Sequence, residues 1–166
     1  MAFKLKTSKE TEEIFDRIES SENLPWPTLM KLALSLSIRH GQLMELELYT
    51  DSLGKELNRP TITGDYDTIY KCLIELQEDR HISDQEYFPT YVKAHLDRGA
   101  KLLDQEKKYS RDLIIHLTEL EKGFNKQIKN ALRHTPLRNE IQVPFDLDLA
   151  KNVGIFSFAA QKLRSQ

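Results

Sequence analysis

The segment between Pro25-Trp26-Pro27 and Gly41 constrains the fold most, because it is apolar on nearly every side when drawn as a helix. Proline suits the first turn of a helix and glycine suits its end, so these residues mark the two boundaries. A helix with so wide an apolar surface needs more cover than one small neighbour gives. We therefore predict that it packs in the middle of the fold or across a subunit interface. Its apolar side chains are Leu29, Met30, Leu32, Ala33, Leu34, Leu36 and Ile38.

The N-terminal segment predicts a short strand followed by a helix. Phe3-Lys4-Leu5-Lys6 alternates apolar and basic residues, which is the pattern of a strand with one buried and one wet face. Thr7-Ser8-Lys9-Glu10 then has the form of a capping box with Thr7 as the N-cap. The helix that follows presents one apolar side, formed by Ile14, Phe15 and Ile18.

The middle of the chain predicts a loop and two further helices. Residues 50–64 are rich in the residue types that end regular structure, so we predict an ordered loop there. A helix follows from Asp65, and Ser83-Asp84-Gln85-Glu86 is a second capping box. Pro89 also allows that second helix to start at Phe88 or Pro89, and we expect it to reach Gly99. The helix from Asp65 has an apolar period formed by Tyr66, Ile69, Tyr70, Leu73 and Ile74.

The C-terminal part predicts a long amphipathic helix near 110–134 and a segment with strand periodicity at 141–149. The fold class is therefore mainly α: a compact helical domain with a short N-terminal strand. We divide the chain into a helical domain at 1–105 and an extension at 106–166. The apolar stripe of the long helix is formed by Leu113, Leu117, Leu120, Phe124, Ile128 and Leu132.

Charge is distributed unevenly along a chain whose formal net charge is −2. Residues 1–9 carry +3 and residues 101–138 carry +4, whereas residues 40–86 carry −7. A surface that neutralises phosphates should be sought in the two basic segments. The chain has no apolar run long enough to span a membrane and begins without a secretory apolar core, so we expect a cytoplasmic protein.

The sequence contains none of the motifs that identify catalysis most specifically. It has no glycine-rich phosphate loop, no Gly-x-Ser-x-Gly elbow and no Cys-x-x-Cys pair. Cys72 is the single cysteine, and its periodic segment predicts a half-buried thiol. Asp65 and Asp67 suit helix capping better than cation binding. We expect no catalytic residue, no metal and no cofactor, with surface or helix-end positions for His40, His81, His95, His116 and His134.

The order strand, helix, helix is that of ribbon-helix-helix proteins, in which two chains pair their strands in the major groove. Lys4 and Lys6 would then share one DNA-facing side. An equally good interpretation makes them the exposed side of an edge strand. Three hypotheses stay open on these patterns: a backbone-binding DNA protein, a ribbon-helix-helix repressor or antitoxin, and a protein adaptor without DNA contact.

The segment from Gly54 to Tyr70, Gly-Lys-Glu-Leu-Asn-Arg-Pro-Thr-Ile-Thr-Gly-Asp-Tyr-Asp-Thr-Ile-Tyr, resembles the DndE family of DNA phosphorothioation proteins. The resemblance extends upstream to Leu32-Ala-Leu-Ser-Leu-Ser-Ile and downstream to His95-Leu-Asp-Arg-Gly-Ala-Lys-Leu-Leu, and it covers roughly residues 3–105. It implies a small helical accessory protein without catalytic activity of its own, in a system that marks or guards cellular DNA.

The same resemblance implies partners and binding residues. The partners are duplex DNA, with a preference for nicked duplex, other copies of the chain in a tetramer or dimer, and the sulfur-inserting enzymes of the system. The candidate phosphate contacts are Lys4, Lys6 and Lys9, with Lys31 and Arg39 as further candidates on a helix that we expect to be buried. Asn58, Arg59 and Gly64 form the family's loop element. Arginine in such a loop can bond a carboxylate such as Asp65 or Asp67, so we favour a structural role over DNA contact.

Overall fold

The computed structural model describes residues 4–120 and Lys122, and it divides into two compact units between Tyr109 and Ser110. The first unit consists of helices and one short two-stranded sheet, so the predicted mainly α class is confirmed. Within the described ranges, no helix is long and apolar enough to cross a membrane.

The first strand, β1 (Lys4–Lys6), pairs with a second strand of the same chain, β2 (Glu56–Asn58). The pairing is antiparallel and sets Lys4 opposite Asn58, Leu5 opposite Leu57 and Lys6 opposite Glu56. The prediction of a loop across residues 50–64 was therefore wrong in its centre, where β2 is followed directly by a one-turn helix, α3 (Arg59–Ile62). The order strand, helix, helix is as predicted, but β1 takes its partner from within the chain.

Helix α1 (Lys9–Glu22) begins one residue later than the sequence predicts. The N-cap is Ser8, whose Oγ accepts a hydrogen bond from the Thr11 amide at 3.1 Å. Thr7 instead bonds the segment just before β2: its amide donates to the Lys55 carbonyl at 3.1 Å, and its side chain is fully buried. The inner face of α1 is as predicted, since Ile14, Phe15 and Ile18 are all buried.

Helix α2 (Trp26–Arg39) lies in the centre of the unit, as its wide apolar surface predicts. Its most extensive contacts are with α6 (Lys93–Lys108), and it also contacts α1, α3 and α4 (Asp67–Glu78). Gly41 follows the helix with a φ of +75°, a conformation that glycine adopts without a Cβ clash. The fully or almost fully buried side chains of α2 include Leu29, Met30, Leu32, Ala33 and Leu34.

Helix α4 buries only part of its predicted apolar period. Tyr70 and Ile74 are fully buried, whereas Ile69 is 40% exposed. The half-buried thiol expected at Cys72 was wrong, because Cys72 lies on the exposed side of the helix. The side of α4 that faces the core is thus narrower than its apolar surface.

The last helical run of the unit begins at the predicted second capping box and not at Phe88 or Pro89. Ser83 caps a short helix, α5 (Asp84–Glu86), with both reciprocal hydrogen bonds to Glu86 present. A π-helical segment, Tyr87–Val92, then leads into α6. It contains Pro89, which has no amide hydrogen to donate to the helical ladder.

Helix α6 passes through Gly99, where we expected it to end, and continues to Lys108. A Cβ placed on Gly99 would overlap the backbone carbonyl of Ala33 on α2. This glycine therefore serves the close approach of two central helices and not the termination of one.

In the second unit, residues 113–120 are helical, and the Asp112 carboxylate accepts a hydrogen bond from the Ile115 amide at 3.0 Å. This agrees with the first part of the helix predicted near 110–134. The remainder of that helix and the segment at 141–149 lie outside the described residues.

The α2–α6 contact predicts that Gly99→Ala destabilises the protein. In an open helix this change would stabilise by about 1 kcal/mol, because alanine is the better helix former. Here the added methyl meets backbone that cannot rotate away, so we expect the free energy of unfolding to fall by about 1–3 kcal/mol. Chemical denaturation followed by circular dichroism measures the change, and an increase in stability would contradict the packing described.

Candidate nucleic-acid interface

The exposed face of the β1–β2 ribbon carries the first two predicted phosphate contacts. Lys4 and Lys6 are exposed on either side of buried Leu5, as the alternation predicts. Lys4 Nζ bonds Glu56 Oε1 at 2.7 Å, whereas Lys6 forms no ion pair within residues 4–120. The hydrogen bond and charge of Glu56 raise the pKa of Lys4, and those of Lys4 lower the pKa of Glu56. Lys4 is therefore charged at neutral pH. Of the two lysines, Lys6 is the more available to a phosphate, because it has no ion-pair partner among the described residues.

Lys9 lies at the first turn of α1, where the chain leaves the ribbon. Its Nζ bonds Glu12 Oε2 at 2.9 Å, and its amide donates to Asp51 Oδ2 at 2.9 Å. That amide bond and a second one from Leu53 lower the pKa of Asp51. Lys9 adjoins the β1 lysines along the chain, but carboxylates surround it.

Lys31 and Arg39 do not belong to this face. Both are half-buried on α2, about two helical turns apart, which agrees with the expectation that this helix is largely covered. Among the described residues, no hydrogen bond or ion pair connects either side chain to the ribbon.

Lys55, which was not predicted from the sequence, precedes β2 and is exposed. Its Nζ lies 4.3 Å from the centroid of the Trp26 ring, a cation–π distance. Treating residues 50–64 as a loop hid this residue, because only the pairing of β2 with β1 fixes the position of Lys55, whose carbonyl accepts from the Thr7 amide.

The loop element of Asn58, Arg59 and Gly64 makes intramolecular contacts. Asn58 caps α3 by accepting from the Thr61 amide at 3.1 Å, and Gly64 has a φ of +54°. The Arg59 guanidinium donates hydrogen bonds to the Asp67 carboxylate, with Nε 3.0 Å from both oxygens and Nη2 2.5 Å from Oδ2. The predicted bond from Arg59 to Asp65 or Asp67 is thus present, and it joins α3 to the first turn of α4.

Further groups complete the surroundings of Asp67. Thr63 Oγ1 donates to Asp67 Oδ1 at 2.7 Å, and the Arg59 guanidinium lies 5.1 Å from the Tyr87 ring. Burial raises the pKa of Asp67, but the bonds from Arg59 and Thr63 outweigh it and hold that pKa below the ordinary value. Burial also raises the pKa of the Tyr87 hydroxyl, which donates to the Asp67 carbonyl at 3.0 Å.

A buried charged cluster, also missed in the sequence, anchors the end of the ribbon. The side chains of Lys93 and Asp97 are 8% and 2% exposed, and their Nζ and Oδ2 are 2.8 Å apart. Asp97 Oδ1 accepts from the Ser8 amide at 3.1 Å and from Thr11 Oγ1 at 2.6 Å. Lys93 Nζ also donates to the Tyr49 carbonyl at 2.6 Å. The cluster fixes the turn between β1 and α1 onto α6.

His95 was wrongly expected at the surface or a helix end. It is fully buried within α6, where its Nδ1 lies 3.0 Å from Ser37 Oγ. Burial, with the nearby charge of Arg98, lowers the pKa of His95 to about 3, so the ring is neutral at physiological pH. Among the described residues, no group of three or more His, Cys, Asp or Glu side chains is arranged to hold a metal ion.

Comparison with known protein families shows the family of this chain. The family model described as DNA sulphur modification protein DndE matches residues 4–111. The chain belongs to the DndE family. This extends the resemblance seen in the sequence by a few residues and gives the chain a role in DNA sulfur modification. No curated protein matches. The DndE match contains every candidate residue discussed above, from Lys4 to Gly64.

The buried cluster predicts that Asp97→Asn is strongly destabilising. The substitution keeps the shape of the side chain but leaves Lys93 buried without its counter-charge, a change that costs about 3–5 kcal/mol in free energy of unfolding. The matched control is Glu56→Gln, which removes an exposed pair on the same unit and should change stability little. Urea denaturation of both variants tests this, and equal midpoints would show that the cluster contributes no more than a surface pair.

The Arg59–Asp67 pair predicts a pH dependence. The folded pKa of Asp67 lies below its unfolded value, so its contribution to stability is present above the ordinary pKa of about 3.9 and is lost as pH falls through the lower folded value. Asp67→Asn should therefore lose less stability than the wild type between about pH 5 and about pH 2. Thermal unfolding of both proteins across that range measures the difference, and parallel curves would contradict the assignment.

Proposed function

We propose that this DndE-family chain is a non-catalytic, oligomeric DNA-binding subunit of a DNA phosphorothioation system, acting in the cytoplasm where cellular DNA lies. The observation that carries the proposal is the exposed face of β1, where Lys4 and Lys6 alternate with buried Leu5. Two lysines at alternate strand positions project to the same side, and phosphate contacts of this kind carry no base information. Binding should therefore be independent of sequence.

Several features support an accessory role. The groups with the most shifted pKa values, Tyr87 and His95, are buried by packing and bond neighbouring helices. Residues 1–109 hold 15 Lys and Arg against 20 Asp and Glu, so any DNA affinity must come from a local face. The acidic remainder suits contact with protein partners of the system better than contact with phosphates.

The structure gives less support to the repressor hypothesis. A ribbon-helix-helix protein builds its two-stranded ribbon from two chains. Here β2 of the same chain pairs with all three residues of β1. β1 therefore has a partner strand without a second chain, unlike the strand of a ribbon-helix-helix dimer.

The test is binding to labelled intact, nicked and phosphorothioated duplexes of unrelated sequence across a sodium chloride series. We expect wild-type binding that weakens steeply with salt, because lysines that neutralise phosphates release counterions. In Lys4→Gln/Lys6→Gln, affinity should fall equally for all sequences, and the slope of log affinity against log salt should decrease by about 2.

The matched control is Arg17→Gln/Lys71→Gln, which removes the same charge from α1 and α4, outside the β1–β2 ribbon. It should leave the slope near that of the wild type. Equal losses of DNA affinity in the two double variants would show that the affinity depends on net charge and not on the ribbon face. Absence of wild-type binding near physiological salt would reject direct DNA contact and leave a protein adaptor within the same system.

A further inference from the structure

The exposed face of the β1–β2 ribbon carries a carboxylate as well as two lysines. The register sets Glu56 directly opposite Lys6, and Asn58 directly opposite Lys4. Residues paired across an antiparallel ribbon project to the same side, and all four of these residues are exposed. Lys4, Lys6, Glu56 and Asn58 therefore share one face.

Glu56 is close to both lysines of this face. Its Oε1 accepts a hydrogen bond from Lys4 Nζ at 2.7 Å. That bond and the charge of Lys4 lower the pKa of Glu56, and the charge of Lys6 lowers it further. Asn58 adds no charge, and its Oδ1 already accepts from the Thr61 amide and hydroxyl. The face thus holds two cations and one anion, a net charge of +1.

The carboxylate opposes phosphate binding in two ways. Glu56 and a phosphate oxygen are both anionic acceptors for the Lys4 ammonium, so a phosphate at Lys4 competes with the existing bond. An ionised carboxylate on the same face also repels the phosphates of a docked duplex. Both effects are moderate, because the side chains of Lys4 and Glu56 are 60% and 47% exposed and water screens their charges.

We propose that Glu56 limits the affinity of the ribbon face for duplex DNA by holding Lys4 and repelling phosphates. The inference rests on the proposed function, since it concerns how strongly the same face binds DNA. Cellular DNA presents a very large excess of duplex phosphates, so a face with every cation free would stay bound at random positions. Glu56 keeps the contact weak enough for the protein to move from one duplex to another.

The test is the affinity of Glu56→Gln for the labelled duplexes, measured by fluorescence anisotropy at several salt concentrations. The substitution keeps the size of the side chain and removes its charge, and the exposed position keeps the effect on folding small. We expect the affinity to rise by about threefold to tenfold at low salt and by less at high salt, where screening weakens both effects. Unchanged or weaker binding at low salt would overturn the proposal.

Glu10→Gln controls for net charge. Glu10 Oε2 pairs with Lys101 Nζ at 3.0 Å, and their side chains are 58% and 47% exposed, so the pair resembles that of Glu56 and Lys4. The substitution changes the net charge equally but lies on α1, outside the ribbon. Its affinity for DNA should stay near that of the wild type. Equal gains in Glu10→Gln and Glu56→Gln would make net charge the cause and overturn the proposal.

A double-mutant cycle with Lys4→Gln tests whether Glu56 acts through Lys4. In the Lys4→Gln background, Glu56→Gln should raise the affinity by a smaller factor than in the wild type, because no ammonium at position 4 remains to be released. An undiminished gain would show that Glu56 does not hold Lys4 back from phosphates.

Failure of this inference is distinguishable from failure of the proposed function. Lysine-dependent binding by the wild type, with no gain in Glu56→Gln, would overturn the role of Glu56 and leave DNA binding by the ribbon in place. Absence of binding by both proteins at low salt would reject direct DNA contact and the role of Glu56 with it.

Discussion

The Asp97 carboxylate is the contact on which the candidate DNA face depends, because it joins the turn after β1 to the central helix pair. It accepts hydrogen bonds from Ser8 and Thr11 and pairs with Lys93, which itself reaches the Tyr49 carbonyl. Removing two charges from water costs several kcal/mol per ion, and only dense hydrogen bonding offsets that penalty. The cluster meets this condition, since it ties the β1–α1 turn, α6 and the segment around Tyr49 into one unit.

Other residues of α6 join this helix to α2. Gly99 lets the two backbones approach, and His95 bonds Ser37 from within the contact. Arg98 donates to the Ser37 carbonyl at 2.9 Å and to the Gln42 carbonyl at 3.1 Å, which satisfies oxygens at the end of α2. The segment from His95 onward, which carried part of the resemblance to DndE, is therefore explained by packing. A family motif of this kind identifies a fold before it identifies a binding site.

Sequence patterns predicted the elements whose signal is longer than one turn. The central position of α2 followed from its apolar width, and the inner face of α1 from its period. β2 was missed because three residues show only one alternation, and its stability comes from pairing with β1. The first cap was misplaced by one residue because Thr7 and Ser8 both carry a hydroxyl, and the Thr7 amide bonds the Lys55 carbonyl just before β2.

The candidate site was less predictable than the fold. The β1 lysines followed from alternation, and the Arg59–Asp67 bond followed from residue chemistry. In contrast, Lys93 and Asp97 are four residues apart on a helix, a spacing that is usual for solvent-exposed pairs. Nothing local distinguishes a buried pair from an exposed one, since burial is decided by Ser8, Thr11 and Tyr49, which are distant in sequence.

Electrostatics connect the DNA-binding and oligomeric parts of the proposed function. Glu56 neutralises Lys4 within the ribbon, and Glu12 does the same for Lys9, so Lys6 is the least compensated of the three predicted lysines. One copy of such a face would bind duplex DNA weakly at physiological salt, since affinity rises with the number of phosphates neutralised. Weak faces become effective when copies are joined, because the second contact is then intramolecular. A subunit of predominantly acidic charge can thus hold DNA through several modest contacts and still release it.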